Sequence, residues 1–416
     1  MKKQYRYALG LTSQLPFCAT PIRLDPYNKC QFGCGYCFAS TRKGFGRGGG
    51  LQVVDSNLIE DRLSRVESGV VRSALDEFLE RRIPLQLGGM SDPFSKIEFT
   101  EKKTLHLIQI LKRYSYPFII STKSTLVATD MYLAALDGAN AYVRFSTTVV
   151  SESLKARIDV GCPSISEVAN AAKRLSIAGI PVSFRFQPII PSFELEAFRL
   201  IDLASEIGVK HISAEYLKVP LEANLRFGRG LREIMNCEPI AFYRQLGALK
   251  SGSEYVLPLA YRSKFLIEMY KYAKSNGLSF GFADNDLLLH SDGASCCSAS
   301  DLYLSNSNNF EANIVVLAKK KKHSEEIYFS ELLNAWIPEN SVGTYLNSKS
   351  RIQIKVSGQP DWPSYLKRFW QGEDRLYSPD YFDGVKKTGK RDANGLFIYK
   401  RVQSEFGLAL IEKVMQ

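Results

Sequence analysis

Three cysteines stand close together near the start of the chain, in Cys30-Gln-Phe-Gly-Cys34-Gly-Tyr-Cys37. Gly33 and Gly35 let the backbone wrap tightly, so that three thiolates can converge on one inorganic centre. Thiolates are the ligands that iron–sulfur clusters demand. A ferredoxin of the electron-transfer kind would carry a fourth cysteine at close spacing, yet none follows Cys37 until Cys162. Three ligands leave one iron open to a substrate or cofactor. Zinc also takes cysteine ligands, but a structural zinc site would show paired Cys-x2-Cys knuckles or nearby histidines. The four histidines are all distant in sequence, which favours iron and sulfide over zinc.

The elements that must position this motif alternate along the chain. A short first strand, Ile22 to Leu24, precedes the cysteines. The runs Leu85 to Leu87, Pro117 to Ile120, Tyr142 to Phe145, Val182 to Phe186, His211 to Ala214 and Leu278 to Phe282 are of strand length and largely β-branched or aromatic. Segments of helical character lie between them, among them Glu101 to Tyr114, Ser164 to Ala178 and Glu194 to Ile207, two of which end at glycine. Strands separated by helices at this interval predict right-handed crossovers and a parallel sheet, either a complete or partial (β/α) barrel or an open doubly wound sheet. Polar residues just past the strands favour the barrel: Ser91-Asp92, Ser121 to Ser124, Ser146 to Thr148, Gln187 and Glu215. Barrel active sites are built from those strand ends. Cys296 and Cys297 follow the strand that ends at Phe282, and their loop is expected to rise on the same mouth as the cluster.

The chain has 416 residues, 45% hydrophobic, 12% aromatic and 23% charged, which suits a large α/β domain and excludes fibrous or low-complexity classes. We expect a barrel core with its N-terminal lead-in over 1–310 and an accessory C-terminal region over 311–416. The accessory region mixes Trp362, Tyr365, Phe369, Trp370, Tyr377, Tyr381 and Phe382 with basic residues. Such aromatics either stack bases or form a small core of their own. A formal charge of +11 draws polyanions, and basic side chains cluster at Lys319 to Lys322 and at Lys386, Lys387, Lys390 and Arg391. Runs of this kind are most often solvated loops. No apolar run approaches a membrane span, and Gln14 and Pro16 interrupt the N-terminal stretch before secretory length. Eight cysteines without a signal peptide point to metal or catalytic chemistry in a reducing cytoplasm.

The spacing of the cysteines, with Tyr36 before the last, resembles the radical S-adenosylmethionine (SAM) superfamily. The wider pattern of Asn28-Lys29-Cys30, Gly88-Gly89-Met90-Ser91-Asp92-Pro93-Phe94, Ser121-Thr122-Lys123-Ser124, Arg144-Phe145-Ser146 and Gln187-Pro188-Ile189-Ile190-Pro191 resembles its spore photoproduct lyase-like branch over roughly residues 15 to 300. The resemblance implies a partial barrel in which Cys30, Cys34 and Cys37 hold a [4Fe–4S] cluster and SAM chelates the open iron. The reduced cluster would cleave SAM to a 5′-deoxyadenosyl radical that abstracts hydrogen from the substrate, with flavodoxin or ferredoxin as reductant. By position, Gly88 and Gly89 match the turn at the SAM amino group and Ser91 the polar residue after it. Lys123 matches the partner of the SAM carboxylate, Ser146 a hydroxyl near the cofactor, and Tyr36 packs near adenine. The branch's usual hydrogen donors are a cysteine and a tyrosine, and here those positions are Gly89 and Phe38. Cys296 and Cys297 are therefore the candidate donors. The substrate implied is a nucleic acid or nucleotide-like molecule. Modification of a peptide or small metabolite, and a non-catalytic iron–sulfur protein that binds nucleic acid, are the competing readings.

Overall fold

The computed structural model describes residues 3–37, 39, 50–221, 229–251, 254–296, 299–345, 361–372 and 377–412. Phe38 and Cys297 lie outside the described residues. One eight-stranded sheet organises the chain. Its strands are β1 (Leu9–Leu11), β2 (Ile22–Leu24), β3 (Leu85–Leu87), β4 (Phe118–Thr122), β5 (Ala141–Thr147), β6 (Val182–Ile189), β7 (His211–Tyr216) and β8 (Ser279–Phe282). They lie side by side in chain order. β2 to β8 run parallel, and β1 adds an antiparallel edge. With β1 at one edge and β8 at the other, the sheet is an open, partial barrel.

Alternation along each strand explains both of its faces. Phe118, Ile120, Val143, Phe145, Phe184, Phe186 and Ile212 join the main apolar core with helical residues such as Leu107, Ile108, Val168, Leu175, Leu200 and Leu266. Those residues belong to the helices Lys103–Arg113, Ile165–Ile177, Leu195–Ile207 and Leu259–Ser275. The intervening positions carry Ser121, Arg144, Ser183, Arg185, His211, Ser213 and Glu215, a polar lining that no sheet buried on both faces by helices would need. Arg144 Nη2 donates to Ser121 Oγ at 2.8 Å, and Ser183 Oγ meets His211 Nδ1 at 2.7 Å. The helix from Ile165 starts as its sequence indicates, with a capping box in which Ser164 and Glu167 satisfy each other's backbone N–H.

The loop after β8 does not rise at the mouth. Asp292 N donates to Phe280 O at 2.9 Å, so the chain has turned back along β8. The Cys296 carbonyl presses on Gly281, where a Cβ would come within 2.4 Å of it. Cys296 itself packs toward Ile119, Tyr142, Ala299 and Leu304. The helix that follows, Ala299–Tyr303, lies under the strand starts, with the Tyr303 hydroxyl accepting from Lys210 N and donating to Val182 O.

Of the two roles open to the C-terminal aromatics, the structure gives them the core. Trp362, Tyr365, Phe369, Trp370, Tyr377 and Phe382 are all buried, and of the seven only Tyr381 keeps part of its ring exposed. Phe369, Tyr377 and Phe382 surround Phe17, Phe310 meets Trp336 and Trp362, and Phe406 packs on Phe282. The expected boundary at residue 310 thus runs through one continuous core. A small antiparallel sheet of Glu326–Ile327, Phe397–Arg401 and Val385–Arg391 completes this region. Among the described residues no helix is long and apolar enough to cross a membrane.

Candidate active site

The loops that follow β2, β3, β4 and β5 meet at the carboxyl end of the sheet, where barrels place their chemistry. The β2 loop carries the three cysteines and is anchored at several points. Asn28 Oδ1 accepts from Gln52 N at 2.8 Å, and the buried Ser91 donates its hydroxyl to Tyr27 O at 2.5 Å. Asp25, with no exposed side chain, accepts from Met90 N (2.7 Å) and Ser91 N (3.1 Å). Ser91, expected beside the cofactor, thus ties the β3 loop to the cysteine loop.

The turn at Gly88 has a steric cause. Its φ is 91°, and a Cβ there would stand 2.5 Å from Ser121 O and 2.6 Å from Pro93 Cδ. Gly89 is exposed, with its nearest contact at Arg23 Cβ, 3.3 Å from a built Cβ. Asp92 joins this loop to the next by accepting from Thr122 Oγ1 at 2.8 Å and from Lys123 N at 2.7 Å. Burial raises the Asp92 carboxyl above its ordinary value, against the Lys123 and Phe94 N–H groups that favour its charge.

The β5 loop supplies residues that the sequence did not single out. Asp159, fully buried, accepts from the Tyr36 hydroxyl and from Lys155 Nζ at 3.0 Å, and pairs with Lys123 Nζ at 3.3 Å. Burial opposes its charge, but Lys123, Lys155 and the Tyr36 hydroxyl outweigh that and hold the carboxyl down at about 2. Lys123 also donates to Ser146 O at 3.1 Å and lies 5.5 Å from the centre of the Tyr36 ring. Despite its burial, Lys123 is held above its ordinary value by Asp159, Cys34 and Cys162. Thr148 Oγ1 donates to the Tyr36 hydroxyl at 2.6 Å. Tyr36, Lys123 and Ser146 are therefore brought together, and Asp159 is the hub between them.

The cysteine loop docks onto the same segment. Gly33–Cys34 forms a short antiparallel ladder with Asp159–Val160, and Gly35 N donates to Ile158 O at 2.9 Å. Cys34 Sγ lies 3.7 Å from Cys162 Sγ, and these two with Asp159 keep their ligand atoms within 4.8 Å of one another. Cys30, Cys34 and Cys37 form no such tight group among the described residues. A cluster of several irons would not need one, since its ligands would not share a single metal ion. Burial, with Asp92 adding to it, pushes the Cys30 thiol up to about 12, so a thiolate there needs a metal's charge. The hydrogen bond to Cys162 lowers Cys34 against the cost of burial. Three half-buried sulfur donors at a barrel mouth, beside a half-buried lysine, fit a cluster with a carboxylate-bearing cofactor.

No family model matches the chain, and no curated protein matches it. Solved structures do. The chain is similar to a cysteine-to-serine mutant of spore photoproduct lyase, with 18% identity, 67% of this chain and 81% of that chain covered, and a TM-score of 0.52. It is likewise similar to spore photoproduct lyase complexed with dinucleoside spore photoproduct, with the same identity and coverage and a TM-score of 0.51. The class defined by the sheet is an α/β partial barrel. Within that class the chain has the fold of spore photoproduct lyase.

Proposed function

We propose that this protein is a radical SAM enzyme acting on a nucleic acid or nucleotide-like substrate. Cys30, Cys34 and Cys37 hold its [4Fe–4S] cluster, and Tyr36, Gly88, Gly89, Ser91, Lys123 and Ser146 surround SAM. The observation that carries the reading is the three-cysteine loop packed against a half-buried, doubly anchored Lys123 at the mouth of the barrel. The bound pair would supply one-electron chemistry that yields a hydrogen-abstracting carbon radical, with a cytoplasmic ferredoxin or flavodoxin as electron source. Lys123 offers a positive charge to the SAM carboxylate, and Asp159 and Asp92 hold that lysine in place. Gly89 has no side chain and cannot return hydrogen by the branch's usual route.

Support for an anionic substrate comes from the small C-terminal sheet. Lys386 stands directly opposite Lys400 across two strands, both exposed, and Glu326 flanks Lys400 on the other side. Lys387 and Arg391 rest on the Phe397 ring at 3.4 and 3.8 Å. The backbone of Ser324 bonds Arg401, which brings the second basic run, through Lys322, to the same sheet. Like charges placed side by side are relieved by a phosphate chain. One of the similar lyase structures is complexed with dinucleoside spore photoproduct.

Anaerobic reconstitution tests the reading. We expect about four irons per chain and 5′-deoxyadenosine on reduction with SAM, both lost in Cys34→Ala. Zinc at full occupancy without sulfide sinks it. Single-stranded and duplex DNA and RNA should bind at low salt and weaken steeply as salt rises. The double variant Lys386→Glu, Lys400→Glu should abolish that binding while leaving iron content intact. Unchanged binding removes this sheet from the substrate surface.

A further inference from the structure

Cys162 belongs to no motif, yet the fold brings its sulfur to a cluster cysteine. Its backbone N–H donates to Asp159 O at 2.9 Å, closing a turn in which Gly161 takes a φ of 76°. The ladder between Gly33–Cys34 and Asp159–Val160 fixes that turn against the cysteine loop. The outcome is a Cys34–Cys162 Sγ separation of 3.7 Å, far beyond a covalent bond of about 2.05 Å and right for a hydrogen bond between sulfurs.

We infer that Cys162 is a positioning residue that donates its S–H to the Cys34 thiolate and thereby raises the reduction potential of the cluster. The inference rests on the cluster assignment above. Once Cys34 binds iron it is a thiolate and accepts only, so the proton between the two sulfurs belongs to Cys162. Hydrogen bonds to ligand sulfurs draw charge from a cluster and stabilise its reduced form. At 3.7 Å from the sulfur that would bind iron, Cys162 is placed as a donor to that sulfur. A lone divalent ion between Cys34, Asp159 and Cys162 is opposed by the Lys123 ammonium 3.3 Å from the same carboxylate.

The test compares the reconstituted full chain with Cys162→Ala and Cys162→Ser, measuring iron content and the cluster midpoint potential by redox titration followed by electron paramagnetic resonance. All three should carry the same iron. Cys162→Ala should shift to lower potential, so that its reduced fraction at a fixed poise falls several-fold. Cys162→Ser, which keeps an O–H donor, should stay close to the parent. An unchanged potential in the Ala variant, or an equal shift in both variants, overturns the inference. So does iron loss in the Ala variant, which would make Cys162 a ligand. A parent protein without any cluster fails the functional reading and this one with it, whereas an intact cluster at an unchanged potential fails this one alone.

Discussion

At Asp159 two ammonium groups and a phenol hydroxyl converge on one carboxylate with no exposed surface. Burying such charges is costly, and the group persists because every member has a partner. The Lys155 side chain is itself only 3% exposed, so neutralising the carboxylate strands a buried cation. Asp159→Asn should therefore cost about 3–5 kcal/mol in urea unfolding, the usual penalty for breaking a buried ion pair from one side. The pH dependence has a definite sign. The carboxyl is held at about 2 in the folded chain and titrates near 3.9 when unfolded. Its contribution is thus complete above the unfolded value and is lost as pH falls toward 2. The variant should lose less stability than the parent over that acid range. Equal acid sensitivity would remove Asp159 as the source.

Among the elements, the turn after β3 carries a sharp contrast between neighbouring glycines. Gly88→Ala must hold a side chain at a φ of 91° with Cβ against a backbone oxygen and a proline ring, neither of which can swing aside. Strain of that kind costs at least about 1–3 kcal/mol before the clash is counted. Gly89→Ala meets only Arg23 Cβ at 3.3 Å, and should change stability by about 1 kcal/mol or less. Thermal unfolding of the two variants should separate them clearly, and similar melting would show that the turn relaxes. The parallel strands were legible in the sequence because most are compact β-branched or aromatic runs between turn residues, and Leu-Gln-Leu of β3 alternates apolar and polar. β1 was not, since Leu-Gly-Leu is three residues long and pairs only through the tertiary sheet. The helix Leu259–Ser275 also escaped, with Arg262 buried among its apolar positions and aromatics spread around its circumference. Asp159 and Cys162 gave no signal at all. Their partners on the cysteine loop, Tyr36 and Cys34, stand more than a hundred residues earlier in the chain, and only docking of the β5 loop onto the cysteine loop joins them.

Over the whole molecule, the C-terminal region acts as a wall of the barrel. Ending the chain after residue 340 would strip Phe17 of Phe369, Tyr377 and Phe382, Phe310 of Trp362, and Phe282 of Phe406. At about 1.5–3 kcal/mol for each large buried side chain, that loss rivals the 5–15 kcal/mol by which a typical domain is stable. We expect the truncated protein to show no cooperative unfolding transition by circular dichroism. A folded, iron-loaded truncation would show that the barrel stands alone. The same packing bears on biosynthesis. Strands that neighbour one another in the chain also neighbour one another in the sheet, so the barrel can wind as it leaves the ribosome. The ladder partner of Cys34 is made roughly 10 s after Cys34 itself, at ordinary translation rates. The aromatic cover over Phe17 comes last of all. For that interval the apolar surface around Phe17 stands uncovered at the strand starts, while the cysteine loop at the opposite end of the sheet already has its ladder partner.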